Sequence, residues 1–299
     1  MRGERMILAS HAKKYYGSIR GIEDLSLEVK SGEIFGFVGP NGSGKTTFIR
    51  SLLGLLKLDS GTIHLLSKEV KVGEQDHFSK VGYMPSESFF FNELKVKDIL
   101  KFFQSTRPVD PKYLEHLIEH LDVDLNKKFG SLSFGNKKKI GIIVAMMHQP
   151  EVLILDEPTA GLDPLIQSRF LELLVEQKMK GTTVLLSSHV LKEIEKVCDR
   201  VALIKEGSLL FTRRMEDIRK EESKRVIVWP NHQNLVLEGL TYLRDENGAS
   251  HYAYQGDVNL LMRYLSSYHF KDMVIRNIDL EELFQVFYER GDVWCDSFA

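Results

Sequence analysis

The sequence predicts an α/β fold on a mostly parallel sheet, followed by a small α+β unit. Three observations carry that expectation. Strand-like and helix-like patterns alternate from residue 152 to residue 205, which places helices on the faces of a parallel sheet. Residues 33–39 (EIFGFVG) are apolar on both faces and run into a glycine-rich loop and a helical pattern. Residues 213–225 (RRMEDIRKEESKR) are almost entirely charged and mark a boundary.

In chain order, residues 24–30 alternate, with Leu25, Leu27 and Val29 opposite Ser26, Glu28 and Lys30, as in a half-buried strand. The first 40 residues as a whole read as short strands. Ser31-Gly32 makes a turn before the buried strand, and a helix is expected over 46–56. Residues 93–121 read as helical, with Leu94, Ile99, Leu100, Phe102 and Phe103 on one face and a second segment at 113–121. The pattern resumes over 136–148 and stops at Pro150. Then come a strand at 152–155, a helix at 166–179, a strand at 182–187, a helix at 191–198 and a strand at 200–205. The charged stretch is expected as a solvated helix or linker, which divides the chain into domains at 1–212 and 213–299. Past it, strands are expected at 226–229, 241–244 and 250–254, with Glu246-Asn247-Gly248 turning between the last two, and helices at 260–268 and 280–290.

Composition narrows the function. The 299 residues are 43% hydrophobic and 27% charged, ordinary for a globular protein. Forty Lys and Arg against 42 Asp and Glu leave a net charge of −2, which argues against a dedicated nucleic-acid binder. Two cysteines, Cys198 and Cys295, exclude a disulfide framework and suit reduced thiols. The start is polar with no apolar signal core, and the longest apolar runs, at 152–155 and 184–186, have strand length. If the protein works at a membrane, another chain does the crossing.

Gly39-Pro40-Asn41-Gly42-Ser43-Gly44-Lys45-Thr46 fits the pattern G-x-x-x-x-G-K-[ST]. Glycines let the backbone curl so that successive N–H groups point at phosphate oxygens. Lys45 brings a point charge to the β- and γ-phosphates, and the Thr46 hydroxyl suits Mg²⁺. The helix that follows adds its positive dipole end. Val152-Leu153-Ile154-Leu155-Asp156-Glu157 is a buried strand ending in two acids, where ligands bind in parallel sheets. Asp156 suits the metal, and Glu157 suits a general base facing water. Together these motifs imply a P-loop nucleotide hydrolase.

Between them Leu132-Ser133-Phe134-Gly135-Asn136 opens a helix, ending about 20 residues before Asp156. After Glu157 come Ala160-Gly161-Leu162-Asp163 and an isolated His189 at a strand end. With GPNGSGKTT, LSFGN, LILDEPTAGLDP and SSH in this order, residues 6–210 resemble the ATP-binding subunit of an ABC transporter. The resemblance implies a P-loop ABC-type ATPase with a mixed-sheet core, a helical subdomain at about 87–150 and a C-terminal accessory domain. It implies ATP and Mg²⁺ as ligands. Gly39 to Thr47 would hold the triphosphate, and Tyr16 or its neighbour Tyr15 would stack on adenine. Ser133 and Gly135 would touch the γ-phosphate of ATP held by a second subunit, and Asp163 would lie at that interface. His189 would bond the γ-phosphate and position Glu157 and water.

Two departures from the family pattern stand out. The loop glutamine expected near Tyr83-Met84-Pro85 is absent, and Ser86-Glu87-Ser88 follows; Ser86 is then the candidate third metal ligand, directly or through water. Phe134 and Asn136 replace a glycine and a glutamine of the signature. Both departures resemble a bacterial drug- and peptide-exporter branch, which also carries a C-terminal extension ending in a helix like Asp279-Leu280-Glu281-Glu282-Leu283-Phe284. The implied partners are an integral membrane permease and a second ATP-binding subunit, a homodimer, at the cytoplasmic face of the membrane, with no nucleic acid. The run Lys137-Lys138-Lys139 reads as a solvated helix face or as a contact to nucleotide or partner. The phenylalanines Phe89-Phe90-Phe91, within the expected docking surface at about 83–130, read equally as subdomain core. Two other readings are a soluble ABC ATPase acting on ribosomes or DNA, and a non-catalytic regulatory or immunity subunit. A single cassette and the short interval from Thr47 to Leu132 weigh against the first. Glu157 and His189 weigh against the second.

Overall fold

Leu25, Leu27 and Val29 are buried, as their alternation requires, but their strand is twelve residues long. A computed structural model of the chain describes residues 4–74, 78–87, 90–220, 224–231 and 235–277. The described residues fall into two units on either side of Met215.

The first unit contains two sheets. β1 (Arg5–Tyr16) and β2 (Ile19–Lys30) form a long antiparallel hairpin, extended by β4 (Ser60–Leu65) and β5 (Lys68–Glu69) in the order β2-β1-β4-β5. The expected short strands are thus replaced by two long ones, irregular at several register shifts that bend them over the core. The second sheet contains β3 (Ile34–Val38), β6 (Val81–Met84), β7 (Val152–Asp156), β8 (Thr183–Ser188), β9 (Arg200–Lys205) and β10 (Ser208–Arg214). Its order is β10-β9-β3-β8-β7-β6, parallel throughout except for the antiparallel β10. Every residue of β3, β7 and β8 is buried, which explains their continuous apolar runs. The two sheets share one core, in which Phe37 meets Phe48 at 5.2 Å between ring centroids. A phenylalanine buried this fully contributes about 2–3 kcal/mol.

Helices cover the second sheet. α1 (Lys45–Leu52) is shorter than expected because Gly54, at φ 66°, ends it. The helical segment expected at 93–121 is two helices, α2 (Val96–Thr106) and α3 (Pro111–His120), separated where Pro108 and Pro111 cannot continue a helix. α4 (Phe134–Met146) starts two residues before the expected position because Ser133 caps it, accepting from the Asn136 N–H at 3.4 Å. α5 (Pro164–Met179) is capped by Asp163, which accepts from the N–H groups of Leu165 and Ile166, and α6 (Leu191–Val197) precedes β9. Phe90 packs on Phe129 at 5.1 Å and Phe103 at 5.8 Å, so it is subdomain core, whereas Phe91 is 80% exposed; Phe89 lies outside the described residues.

The charged stretch is regular structure as far as residue 220, so the helix reading holds over 215–220, while 221–223 lie outside the described residues. Arg213 and Arg214 end β10, and α7 (Met215–Lys220) follows directly. The second unit pairs β11 (Lys224–Trp229), β12 (Leu240–Glu246), β13 (Ala249–Tyr254) and β14 (Asp272–Asn277) antiparallel in the order β12-β13-β11-β14. The Asn247-Gly248 turn has positive φ at both residues, 51° and 76°, as a two-residue hairpin demands. α8 (Val258–Leu265) sets Leu261 and Leu265 against Val226, Val228 and Tyr252. The helix expected at 280–290 and Cys295 lie outside the described residues. Cys198 is a buried free thiol, and burial pushes its pKa well up.

One buried base makes the first unit acid-sensitive. Arg107 Nη1 donates to His148 Nε2 at 2.9 Å and to the Val81 carbonyl at 3.2 Å. Burial, and then the Arg107 charge, push His148 down to about 4. The unfolded chain takes up this proton near pH 6.5, so stability is full above that value and declines as pH falls toward 4, by at most about 3 kcal/mol. His148→Gln removes the titration while keeping an acceptor for Arg107. Urea unfolding at pH 7 and pH 5 should show a smaller loss in the variant than in the wild type. Equal losses would show that His148 does not carry the effect.

Candidate active site

Four adjacent parallel strands end at one edge. The register pairs Met84 with Leu155, Asp156 with Ser187 and Val38 with Ser188, so the segments after β6, β7, β8 and β3 emerge side by side. Such an edge is where open α/β sheets bind ligands.

The loop after β3 wraps its own lysine. Gly44 has φ 107°, and a Cβ there would stand 2.3 Å from the Gly21 carbonyl oxygen, so only glycine fits. Pro40, Asn41 and Gly42 are exposed at the rim, while Ser43 is buried and its Oγ has no hydrogen-bond partner. Lys45 is 5% exposed, and its Nζ donates to the carbonyls of Gly39 at 2.7 Å and Pro40 at 3.1 Å. It also lies 3.3 Å from Glu157 Oε1. The ammonium therefore points into the hollow of the loop.

Asp156 is fully buried, and its carboxylate is held by hydroxyls: Thr46 Oγ1 donates to Oδ2 at 2.8 Å and Ser187 Oγ to Oδ1 at 2.7 Å. Glu157 turns out of the strand at φ 49°. Its N–H donates to the Ser187 carbonyl at 3.2 Å and to Ser187 Oγ at 3.1 Å, and its Oε2 meets His189 Nδ1 at 2.9 Å. Sequence reasoning missed Ser187, which fixes both acids at once. It also missed Glu193, 5% exposed, whose Oε2 accepts from Thr159 at 2.7 Å and Ser188 at 3.2 Å, tying the segment after Glu157 to the one before His189. Burial pushes the Glu193 carboxyl up. The signal for Glu193 was its place on the inward face of α6 beside Ile194, which is also buried.

The structure thus brings Lys45, Thr46, Asp156, Glu157 and His189 together. It also separates the two tyrosines. The Tyr15 hydroxyl donates to Glu23, and Lys13 lies 5.1 Å over its ring. Tyr16 is 43% exposed, and Gly21 keeps its ring close to Thr47: a Cβ on Gly21 would come within 3.1 Å of Tyr16 Cε2 and 2.8 Å of Thr47 Cγ2. Ser86 follows β6 at the same edge, half-buried, with Glu87 exposed. Ser133 and Phe134 are exposed at the start of α4; Gly135 lies against the Gly161 carbonyl, and Asp163 is exposed at the start of α5. The lysine run is not a solvated face: Lys138 is 1% and Lys139 7% exposed, because from Lys138 onward α4 is sunk in the first unit's interior.

The sequence profile of the ABC transporter family matches residues 22–160. An uncharacterized ABC transporter ATP-binding protein of Methanocaldococcus jannaschii is 35% identical over 221 residues, which are 71% of this chain and 79% of that protein. The bacitracin transport ATP-binding protein of Bacillus licheniformis is 34% identical over 236 residues, 78% of this chain and 77% of that one. Among solved structures, an ATP-binding subunit of an ABC transporter superposes with a TM-score of 0.66 at 28% identity, covering 72% of this chain and 92% of its own.

Proposed function

Because this chain belongs to the ABC transporter ATP-binding family, we propose that it is the ATP-hydrolysing subunit of a membrane exporter, working as a pair of identical copies. One observation supports this above the others. Lys45, Asp156, Glu157 and His189 converge at one strand edge, while Ser133 is exposed at the start of another element, with half-buried Gly135 two residues on. A loop that grips phosphate and a surface-exposed helix start that suits phosphate are complementary halves. Two copies related by a twofold axis would each complete the other's site.

ATP would lie with its triphosphate on the loop from Gly39 to Thr47 and adenine on Tyr16. The buried, partnerless Ser43 Oγ supports a polar ligand there. Glu157 would take the proton of a water held by His189 as the water oxygen attacks the γ-phosphorus and ADP departs. Thr46 Oγ1 and a buried carboxylate held by hydroxyls form an all-oxygen donor set that fits Mg²⁺, and Ser86, in the segment that follows β6 beside β7, would be the third ligand. Bound there, Mg²⁺ would neutralise charge on the phosphate oxygens.

The remaining partner is the permease, since no described helix is long and apolar enough to cross a membrane. A cavity of about 270 Å³ between β6, α2 and α4, lined by Leu53, Tyr83, Phe103, Arg107 and His148, would receive a cytoplasmic segment of it. The exporter reading rests on the missing loop glutamine, on Phe134 and Asn136, and on the relative that serves bacitracin transport. The test is affinity purification of the tagged chain from solubilised membranes. An integral membrane protein should copurify in stoichiometric amount, and the complex should hydrolyse ATP. Recovery with ribosomes and no membrane protein would overturn the reading.

A further inference from the structure

Glu157 adopts a conformation that its neighbours in sequence disfavour. Its φ is 49°, which costs an ordinary residue about 1–2 kcal/mol, and Pro158 follows it. A residue before proline prefers extended backbone, because the proline ring crowds the alternatives. Released, Glu157 would swing toward extended geometry and carry its carboxylate away from His189 and Lys45. Something must therefore hold the peptide from both sides. On the amino side Ser187 does so, through its carbonyl and its hydroxyl. On the carboxyl side the holder is Lys138, whose Nζ donates to the Glu157 carbonyl oxygen at 2.7 Å.

Lys138 is an unusual residue to find there. It is 1% exposed, its ammonium lies 5.6 Å from the Phe134 ring centre, and burial lowers its pKa, a shift opposed by the charges of Asp156, Glu157 and Glu87. A buried ammonium is costly unless charge and hydrogen bonding compensate it. Here the compensation is the acid pair of the site itself, together with Glu87, which stands in the segment lacking the loop glutamine. Lys138 also sits one helical turn past Phe134, the residue that follows the cap Ser133. The pin therefore joins a chain's own general-base carboxylate to the helix whose start it would lend to the neighbouring copy.

We propose that Lys138 is a positioning residue for Glu157: it holds the left-handed Glu157 peptide by its carbonyl and so aims the carboxylate at the reacting water. This rests on the reading of Glu157 as the general base of ATP hydrolysis. A purely structural lysine would affect folding and ATP binding together. A positioning lysine affects turnover alone.

The experiment compares wild type, Lys138→Met and Lys138→Arg in the full chain, with Glu157→Gln as reference. Met matches the length and apolar stem of lysine and deletes the donor, while Arg keeps a donor and a charge. Lys138→Met should lower kcat about 10- to 100-fold with KM for ATP and the thermal midpoint nearly unchanged, since small misplacements of a reacting group act at that scale. Lys138→Arg should recover most of the loss. A kcat within twofold of wild type for Lys138→Met would overturn the proposal, as would a loss that tracks the thermal midpoint and is not rescued by arginine. If wild type itself turns over no ATP, alone or with its membrane partner, it is the functional reading that fails. Lys138 is then judged from a crystal structure of Lys138→Met: Glu157 should leave φ near 49°, and its persistence there with the 2.9 Å His189 contact would refute the pin.

Discussion

Glu157→Gln retains ATP binding and lowers steady-state turnover by about a thousandfold, the scale on which a positioned general base contributes. The geometry separates the two effects. Glu157 makes no part of the loop that would cradle phosphate; it faces that loop from the next-but-one strand, 3.3 Å from Lys45 and 2.9 Å from His189. Glutamine keeps the shape and an oxygen that can accept from either neighbour, and the N–H of residue 157 still reaches Ser187. It cannot take a proton from water. Removing an anion from beside Lys45 also removes repulsion toward a triphosphate, so affinity holds or improves. Fluorescent-nucleotide titration and phosphate-release kinetics measure the two quantities separately. With ATP added, the variant should also persist as a dimer in sedimentation velocity, since the event that separates the copies is blocked. Full turnover in Glu157→Gln would remove the residue from its assigned role, and loss of binding would make it a structural one.

The parts of this site that were readable from the sequence are those whose chemistry forces residue type locally. A loop that must curl at φ 107° against the Gly21 carbonyl needs Gly44, so the spacing of the loop glycines betrays it. Acids at the end of an all-buried strand stand out because nothing apolar about the strand accounts for them. What remained hidden arises from tertiary packing. Three consecutive lysines look solvated in any periodicity count, yet Lys138 shares a face with Phe134, Ile142 and Ala145, and that face is turned toward the acidic edge. The left-handed turn at Glu157 has no sequence signature, because Pro158 argues for the opposite. β10 and β14 were missed because strands that pair at a sheet edge keep many polar residues: Arg213 and Arg214 belong to the charged stretch that reads as helix or linker, and Asp272 and Arg276 leave only three apolar residues between them. The sheet of β1, β2, β4 and β5 was blurred for a related reason, since bulges between Ala9 and Tyr15 break the alternation that marks a strand.

Lys45→Ala weakens ATP binding itself, by about tenfold to a hundredfold, the worth of a charge-assisted hydrogen bond in a sheltered site. The substitution is structurally mild. Alanine favours helix, so α1 can still begin at that position, and Gly44 rather than Lys45 imposes the shape of the loop. What disappears is a 5% exposed ammonium whose three hydrogens face the Gly39 and Pro40 carbonyls and Glu157 Oε1. Phosphate oxygens would draw on the same three hydrogens, so part of the lysine's attraction for ATP is offset by its attraction for Glu157. That makes the two substitutions interdependent, as expected of side chains in direct contact. In a Glu157→Gln background the lysine has no carboxylate competing for it, and its removal should weaken binding more than in the wild type. Dissociation constants for the four proteins of the cycle, measured by calorimetry without turnover, test both statements. An unchanged constant for Lys45→Ala contradicts the cradle; strict additivity across the cycle contradicts the competition and leaves the 3.3 Å contact without energetic consequence.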